Sequence, residues 1–226
     1  MEKKKSNKKI VERIILIIGV IVILYLIYVI RNAVILSAID GRIAKYENST
    51  NLYKKVVTEK NGIVRTSAEI YFKDGVDKTI FNAENGKTMI QIDGKDTHKI
   101  FIEPDKKASI SKGQAEKSMI ANFADSYYGV LGVFKNSLMT LITTEEVNGK
   151  ECYKITGYLD NFIVSQDIKG LPTVYIEKDT GLAIKYVENL KDGTVNTINY
   201  EYKFNVVTDD DLKEPDISEY DVQYYN

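Results

Sequence analysis

From Ile14 to Ile30 (IILIIGVIVILYLIYVI) the chain carries no charge and a single glycine. Wound as a helix, 17 residues rise about 25 Å, near the lower limit for crossing a hydrocarbon core of about 30 Å. Ile10 and Val11 can lengthen the run at its start. Tyr25 and Tyr28 fall toward its far end, where amphipathic rings favour the headgroup zone. Lys3, Lys4, Lys5, Lys8, Lys9 and Arg13 precede it, against Arg31, Arg42 and Lys45 in the stretch after it. The positive-inside bias predicts a cytoplasmic N-terminus and a C-terminal part outside the cell membrane. A buried core helix does not fit such uninterrupted apolarity beside a lysine-rich flank. A cleaved signal peptide has an apolar region of about 7–15 residues ending in a small-x-small site. The best site here, Leu36-Ser37-Ala38, has Leu where a small residue is wanted, so the residues favour an uncleaved anchor. The predicted organisation is a basic cytoplasmic tail (1–13), a transmembrane anchor (14–30) and an extracytoplasmic β-rich domain (32–226).

Charge separates the parts. Of 31 basic residues seven lie at or before Arg31, and of 32 acidic residues two do, which leaves 24 basic against 30 acidic beyond it. A domain of net negative charge is a poor fit for generic nucleic-acid or anionic-lipid binding, both of which need a basic face, so no nucleic-acid partner is expected. The one cysteine, Cys152, excludes an internal disulfide and reads as a small apolar residue buried in a strand.

Ile35, Ile39, Ile43 and Tyr46, spaced 4, 4 and 3, predict that a helix over 32–46 continues from the anchor and packs on the domain. Strands are predicted at Tyr53–Glu59, Ile63–Phe72, Lys78–Ala83, Thr88–Ile92 and His98–Glu103. The breaks between them hold Asn61-Gly62, Asp74-Gly75, Asn85-Gly86 and Asp93-Gly94, the residues that accept positive φ in two-residue hairpins. Between Lys112 and Thr143 the period changes. Ile120, Phe123, Tyr127, Leu131, Phe134, Leu138 and Leu141 fall three or four apart, the mark of amphipathic helix, with Gly129 a candidate break between two shorter ones. Strands return at Glu145–Val147, Cys152–Thr156, Thr173–Lys178, Ala183–Asn189 and Asn196–Val206, and the acidic stretch Asp209–Asp221 is expected to be irregular. The fold class is α+β, with one large antiparallel sheet.

No enzyme signature is present. His98, the only histidine, has no sequence-marked nucleophile beside it and reads as a surface strand residue. Gly86-Lys87-Thr88 fails as a phosphate loop, because Phe81 stands where glycine is required. Asp209-Asp210-Asp211 lacks the spacing of a calcium loop, and one Cys with one His cannot fill a common zinc site. Neither metal nor cofactor is implied. The tyrosines at the end, Tyr220, Tyr224 and Tyr225, fit a carbohydrate-stacking surface and a frayed terminus equally well.

The order of elements, together with Leu52-Tyr53-Lys54-Lys55-Val56-Val57, the unit Ile90-Gln91-Ile92-Asp93-Gly94-Lys95 followed by Lys99-Ile100-Phe101-Ile102, the hairpin Thr173-Val174-Tyr175-Ile176-Glu177-Lys178-Asp179-Thr180-Gly181-Leu182 and the end Asp216-Ile217-Ser218-Glu219-Tyr220, resembles the lipoprotein-carrier (LolA/LppX-like) superfamily over roughly residues 33–222. The resemblance implies an incomplete β-barrel, a curved antiparallel sheet around an apolar cavity covered by helices. The chain departs from carriers in its helical anchor and in Tyr71-Phe72-Lys73-Asp74-Gly75, which lacks the Arg that helps hold their lid. Two functions stay open at this point. One is a membrane-anchored binding protein for a lipid, lipoprotein or other apolar ligand, with Ile120, Phe123, Tyr127, Leu131, Phe134, Leu138 and Leu141 as its lid, unless that stripe is plain core. The other is a non-enzymatic sensor or interaction module with a membrane or surface protein partner.

Overall fold

The computed structural model describes residues 2–46, 49–112, 136–157 and 167–225, with side chains from Ile10 onward. Helix α1 (Glu2–Ile43) is unbroken, and a 3-10 turn (Ala44–Tyr46) follows it. No proline interrupts it, and the only glycines are Gly19 and Gly41. The strands are β1 (Asn51–Lys60), β2 (Ile63–Lys73), β3 (Val76–Asn82), β4 (Thr88–Asp93), β5 (Thr97–Glu103), β6 (Lys107–Lys112), β7 (Leu141–Val147), β8 (Lys150–Thr156), β9 (Thr173–Glu177), β10 (Ala183–Asn189), β11 (Val195–Phe204) and β12 (Asp221–Tyr225). All twelve join one open, curled sheet in the order β12-β6-β5-β4-β3-β2-β1-β11-β10-β9-β8-β7. Two meanders, β1–β6 and β7–β11, meet where β1 pairs with β11. This is the incomplete barrel that the resemblance implies.

Turn chemistry explains the local pairing. Asn61-Gly62, Asp74-Gly75 and Asn148-Gly149 all hold positive φ at both positions, as two-residue hairpins between right-twisted strands require. The other two breaks differ from expectation. Neither Asp93 nor Gly94 has positive φ, and Asn85 is ordinary too, so those links are longer turns that reach to Thr97 and Thr88.

Alternation assigns the faces. Val56, Ile198, Tyr200, Tyr202 and Phe204 pack with α1, so they mark the inner face, and the register carries that assignment across the sheet. Leu36, Ile39 and Ile43 of α1 are fully buried against Ile142, Ile155, Val174, Ile176, Tyr186 and Ile198. Each such side chain contributes roughly 1.5–3 kcal/mol of burial. All four residues of the predicted stripe pack in or against this core, but the stripe is centred differently. Its centre runs Asn32, Leu36, Ile39, Ile43, while Ile35 and Tyr46 flank it half-buried.

The outer face has its own cover. Residues 205–220 cross it, held where the Lys78 ammonium donates to the carbonyls of Asp211 (2.9 Å) and Lys213 (2.7 Å) and where Lys99 meets Glu214 (2.6 Å). Tyr220 then packs edge-on against buried Phe101, with ring centroids 5.5 Å apart. β12 adds to β6 in parallel, so the tyrosine-rich end is strand rather than fray. The sequence contains no local signal for that pairing, and β6 itself was not anticipated.

Candidate ligand-binding face

The register sorts the inner face of β1–β5 into rows running across the strands. Val56, Ala68, Phe81, Met89 and Ile102 form one row. Lys54, Ile70, Thr79, Gln91 and Ile100 form the next, and Leu52, Phe72, Asp77, Asp93 and His98 the third. The face therefore grades from apolar to acidic over two rows. The apolar members of β2–β5 are half-buried. The buried cluster on this side is built from α1 and β7–β11, with Val56 at its margin, so among the described residues α1 fills only half of the concavity.

At the acidic end Asp77 and Asp93 stand opposite each other on β3 and β4, and both are buried. Like charges so placed repel unless donors surround them. Gln91 Nε2 donates to Asp93 Oδ2 at 2.6 Å, Nδ1 of His98 meets Asp93 Oδ1, and Thr79 Oγ1 donates to Asp77 Oδ1 at 3.3 Å. His98 is thus half-buried on the inner face and paired, not a plain surface residue. Among the described residues no group of three or more His, Cys, Asp or Glu side chains could hold a metal ion.

In the middle row the Lys54 ammonium lies 5.7 and 5.9 Å from the ring centres of Tyr200 and Tyr202. Desolvation pushes Lys54 down to about 8 and pushes Tyr200 up to about 12. A cation lined by aromatic faces, above an apolar row and below an acidic one, suits an amphiphile better than a uniform alkane slot.

The stripe read from the sequence lies mostly elsewhere. Ile120, Phe123, Tyr127, Leu131 and Phe134 fall outside the described residues. Leu138 is half-buried in a helical turn over 136–139. Leu141 opens β7 and is exposed, so the helical spacing does not extend to it. Cys152 is buried in β8 on the outer face, as expected. Asp209 pairs with Lys73 at 2.6 Å, and Asp211 accepts from the Thr208 amide at 2.8 Å, structural tasks for the acidic stretch.

One contact between α1 and the sheet has only a weak mark in the sequence. Where α1 passes the edge of the sheet, Tyr25 donates its hydroxyl to the Leu138 carbonyl (3.2 Å) and Tyr28 to that of Thr140. One turn on, Arg31 Nη1 donates to the Ile142 carbonyl (3.1 Å) and Asn32 Nδ2 to those of Thr140 (2.9 Å) and Ser137 (3.3 Å). Positions 25, 28 and 31/32 are one helix face, so the only signal was a polar spacing of three to four at the end of an apolar run.

No protein-family model and no curated protein matches the chain. Among solved structures, an uncharacterized conserved protein from Thermus thermophilus is similar at 14% identity and a TM-score of 0.50, over 83% of this chain and 97% of that one. The lipoprotein LppX of Mycobacterium tuberculosis is similar at 18% identity and a TM-score of 0.44, over 77% and 97%. A chain of the MucA/MucB complex of Pseudomonas aeruginosa is similar at 15% identity and a TM-score of 0.42, over 79% and 61%. At such identities the likeness is one of fold.

Proposed function

We propose that this is a membrane-anchored, extracytoplasmic binding protein that holds a lipid, a lipoprotein acyl chain or a comparable apolar ligand against the inner face of β1–β5. The observation that carries the reading is the uneven filling of the inner face among the described residues: α1 packs over β7–β11, while Ile70, Phe81, Met89 and Ile100 are half-buried beyond it. On this reading the apolar residues Ile120, Phe123, Tyr127, Leu131 and Phe134 supply the cover over the ligand. Helix α1 includes an apolar stretch long enough to cross a bilayer, and its side chains from Ile10 to Ile27 are exposed. The lysine-rich start of the chain sets the N-terminus on the cytoplasmic side. The protein binds its ligand without catalysis.

A second reading, an interaction module, draws on the edge strand β7. Thr143, Thr144, Glu145 and Glu146 are exposed there, and the outer side of the strand has no strand partner among the described residues. An extended peptide could add to it.

The test is photolabelling of the full chain in lipid nanodiscs with a diazirine-bearing palmitic acid, followed by peptide mapping. Label on the peptides holding Ile70, Phe81, Met89 and Ile100, competed away by unlabelled fatty acid, supports the ligand reading. Label confined to residues 10–30 reports only the surrounding bilayer and overturns it in favour of the protein partner.

A further inference from the structure

We propose that the Leu138–Leu141 segment at the sheet edge is a lipid-surface contact, seated in the outer leaflet beside the chain's own anchor. The inference rests on the membrane-spanning reading of α1.

Three observations converge. The first is length. The uncharged run reaches about 25 Å, already short of a core of about 30 Å. The domain nevertheless begins to contact the helix at Tyr25, inside that run, through the hydroxyl that donates to the Leu138 carbonyl. If the bilayer ended below Tyr25, residues 14–24 would have to span it with only about 16 Å of helix. The outer boundary therefore lies nearer Ile30 and Arg31, and the carbonyls of Leu138 and Thr140 sit at or beneath it.

The second is exposure. Met139 and Leu141 are 72% and 56% exposed, although neighbouring Asn136, Ser137 and Thr140 are buried. Two large apolar side chains thus project from a segment whose polar side chains turn inward. The distribution is inverted for water and suited to an acyl–headgroup boundary, where an apolar surface enters by about 5–10 Å.

The third is backbone satisfaction. Carbonyls at that depth have little water to accept from. Leu138, Thr140 and Ile142 each receive a side-chain donor from α1 instead, namely Tyr25, Tyr28 with Asn32, and Arg31. Arg31 is exposed and adjacent to the boundary, where its guanidinium can also reach headgroup phosphate. The domain is consequently docked on the bilayer by one edge.

The experiment reconstitutes the full chain in phosphatidylcholine–phosphatidylglycerol vesicles containing lipids brominated at shallow or deep acyl positions. Single cysteines carrying bimane are placed by Met139→Cys, Leu141→Cys, Glu146→Cys and Leu24→Cys, with Cys152 buried and unlabelled in the folded chain. All four substituted side chains are exposed, so none removes core. Glu146 lies five residues along β7 from Leu141, about 17 Å away. The expected result is shallow-lipid quenching at 139 and 141 at least about twofold above that at 146, as for residues at the interfacial depth, with deep-lipid quenching at 24. Quenching at 24 combined with equal, weak signals at 139, 141 and 146 leaves the anchor standing and overturns the proposal. Absence of quenching at 24 overturns the spanning reading and the proposal with it.

Discussion

Asn32 donates its side-chain amide to the carbonyl of Thr140 at 2.9 Å, and both residues are buried where the anchor helix meets the sheet. The same carbonyl takes the Tyr28 hydroxyl, and the second proton of the amide goes to Ser137 at 3.3 Å. Asn32→Leu keeps the branched outline in a larger side chain, but removes the donor to the buried Ser137 carbonyl and one of two donors to that of Thr140, at a cost of about 1–3 kcal/mol. Tyr28→Phe removes the other donor to Thr140. The double variant is expected to lose more than the sum of the single losses, because each remaining donor satisfies the shared acceptor when the other is absent. Urea unfolding of the reconstituted chain followed by near-ultraviolet circular dichroism measures all three. Strict additivity would contradict a shared acceptor.

Gly181 marks the tightest approach of α1 to the β9–β10 turn. Its φ is +77°, and a Cβ there would stand 2.8 Å from the Ile39 carbonyl and 3.0 Å from Cβ of Arg42. Gly193 has φ +85° with nothing within 4 Å. Gly193→Ala is expected to cost only the left-handed conformation, about 1 kcal/mol. Gly181→Ala adds overpacking against backbone and is expected to cost about 2–4 kcal/mol. Hydrogen exchange over 32–43 should rise in Gly181→Ala and stay unchanged in Gly193→Ala. Equal effects at both sites would mean that the helix yields without strain.

Those two contacts differ in how far the sequence announced them. The helix over 32–46 was legible from its apolar spacing, and the hairpins from Asn-Gly and Asp-Gly, because both signals are local. Asn32 was not legible as the centre of the buried stripe, since a polar side chain gains its place there only from carbonyls more than a hundred residues away. The parallel pairing of β12 with β6 had the same difficulty: Lys107–Lys112 and Asp221–Tyr225 carry weak alternation, and only the sheet edge gives them a partner. The candidate face was half readable. Its apolar strand residues were in plain view, but a one-residue register error reverses every assignment, and the β1–β11 and β3–β4 ladders were needed to separate the apolar row from the Asp77–Asp93–His98 row.

Lys54 gives the inner face a pH signature. Desolvation lowers its folded value to about 8 from the ordinary 10.5. The unfolded chain therefore binds more protons between those values, and the contribution of Lys54 makes stability rise with pH through about 8 to 10.5. Lys54→Met removes that contribution. The difference in unfolding free energy between the two proteins is expected to change steadily across this window, with the parent gaining on the variant, and to level off beyond it. A flat difference would show that the ammonium is well solvated between Tyr200 and Tyr202.

Cys152 is fully buried on the outer face, and burial raises its thiol above the ordinary value, with Glu177 adding to the effect. The reactive form is the thiolate, so the folded protein is expected to resist Ellman's reagent at pH 8 and to react stoichiometrically once unfolded. Rapid labelling in native buffer would contradict the packing of β8 against Tyr175 and Ile184.

Tyr220 couples the outer strap to the sheet in three ways. Its ring meets Phe101 edge-on, Lys106 lies 4.9 Å from its centre, and its hydroxyl donates to the Glu103 carboxylate. Glu103 is held below its ordinary value by that hydroxyl first and by Lys106 second. Since β12 begins at the next residue, loss of the ring should free the strand as well as expose Phe101. Tyr220→Ala is expected to cost about 2 kcal/mol, below a fully buried aromatic because the ring is half-exposed. Tyr220→Phe keeps the ring contacts and should cost well under half of that. Amide exchange then separates strap from core: protection on the β12-facing side of Lys107–Lys112 should fall in Tyr220→Ala while β8 and β9 remain protected. If β6 keeps its protection, β12 is held by its ladder alone and the tyrosine only fills the surface over Phe101.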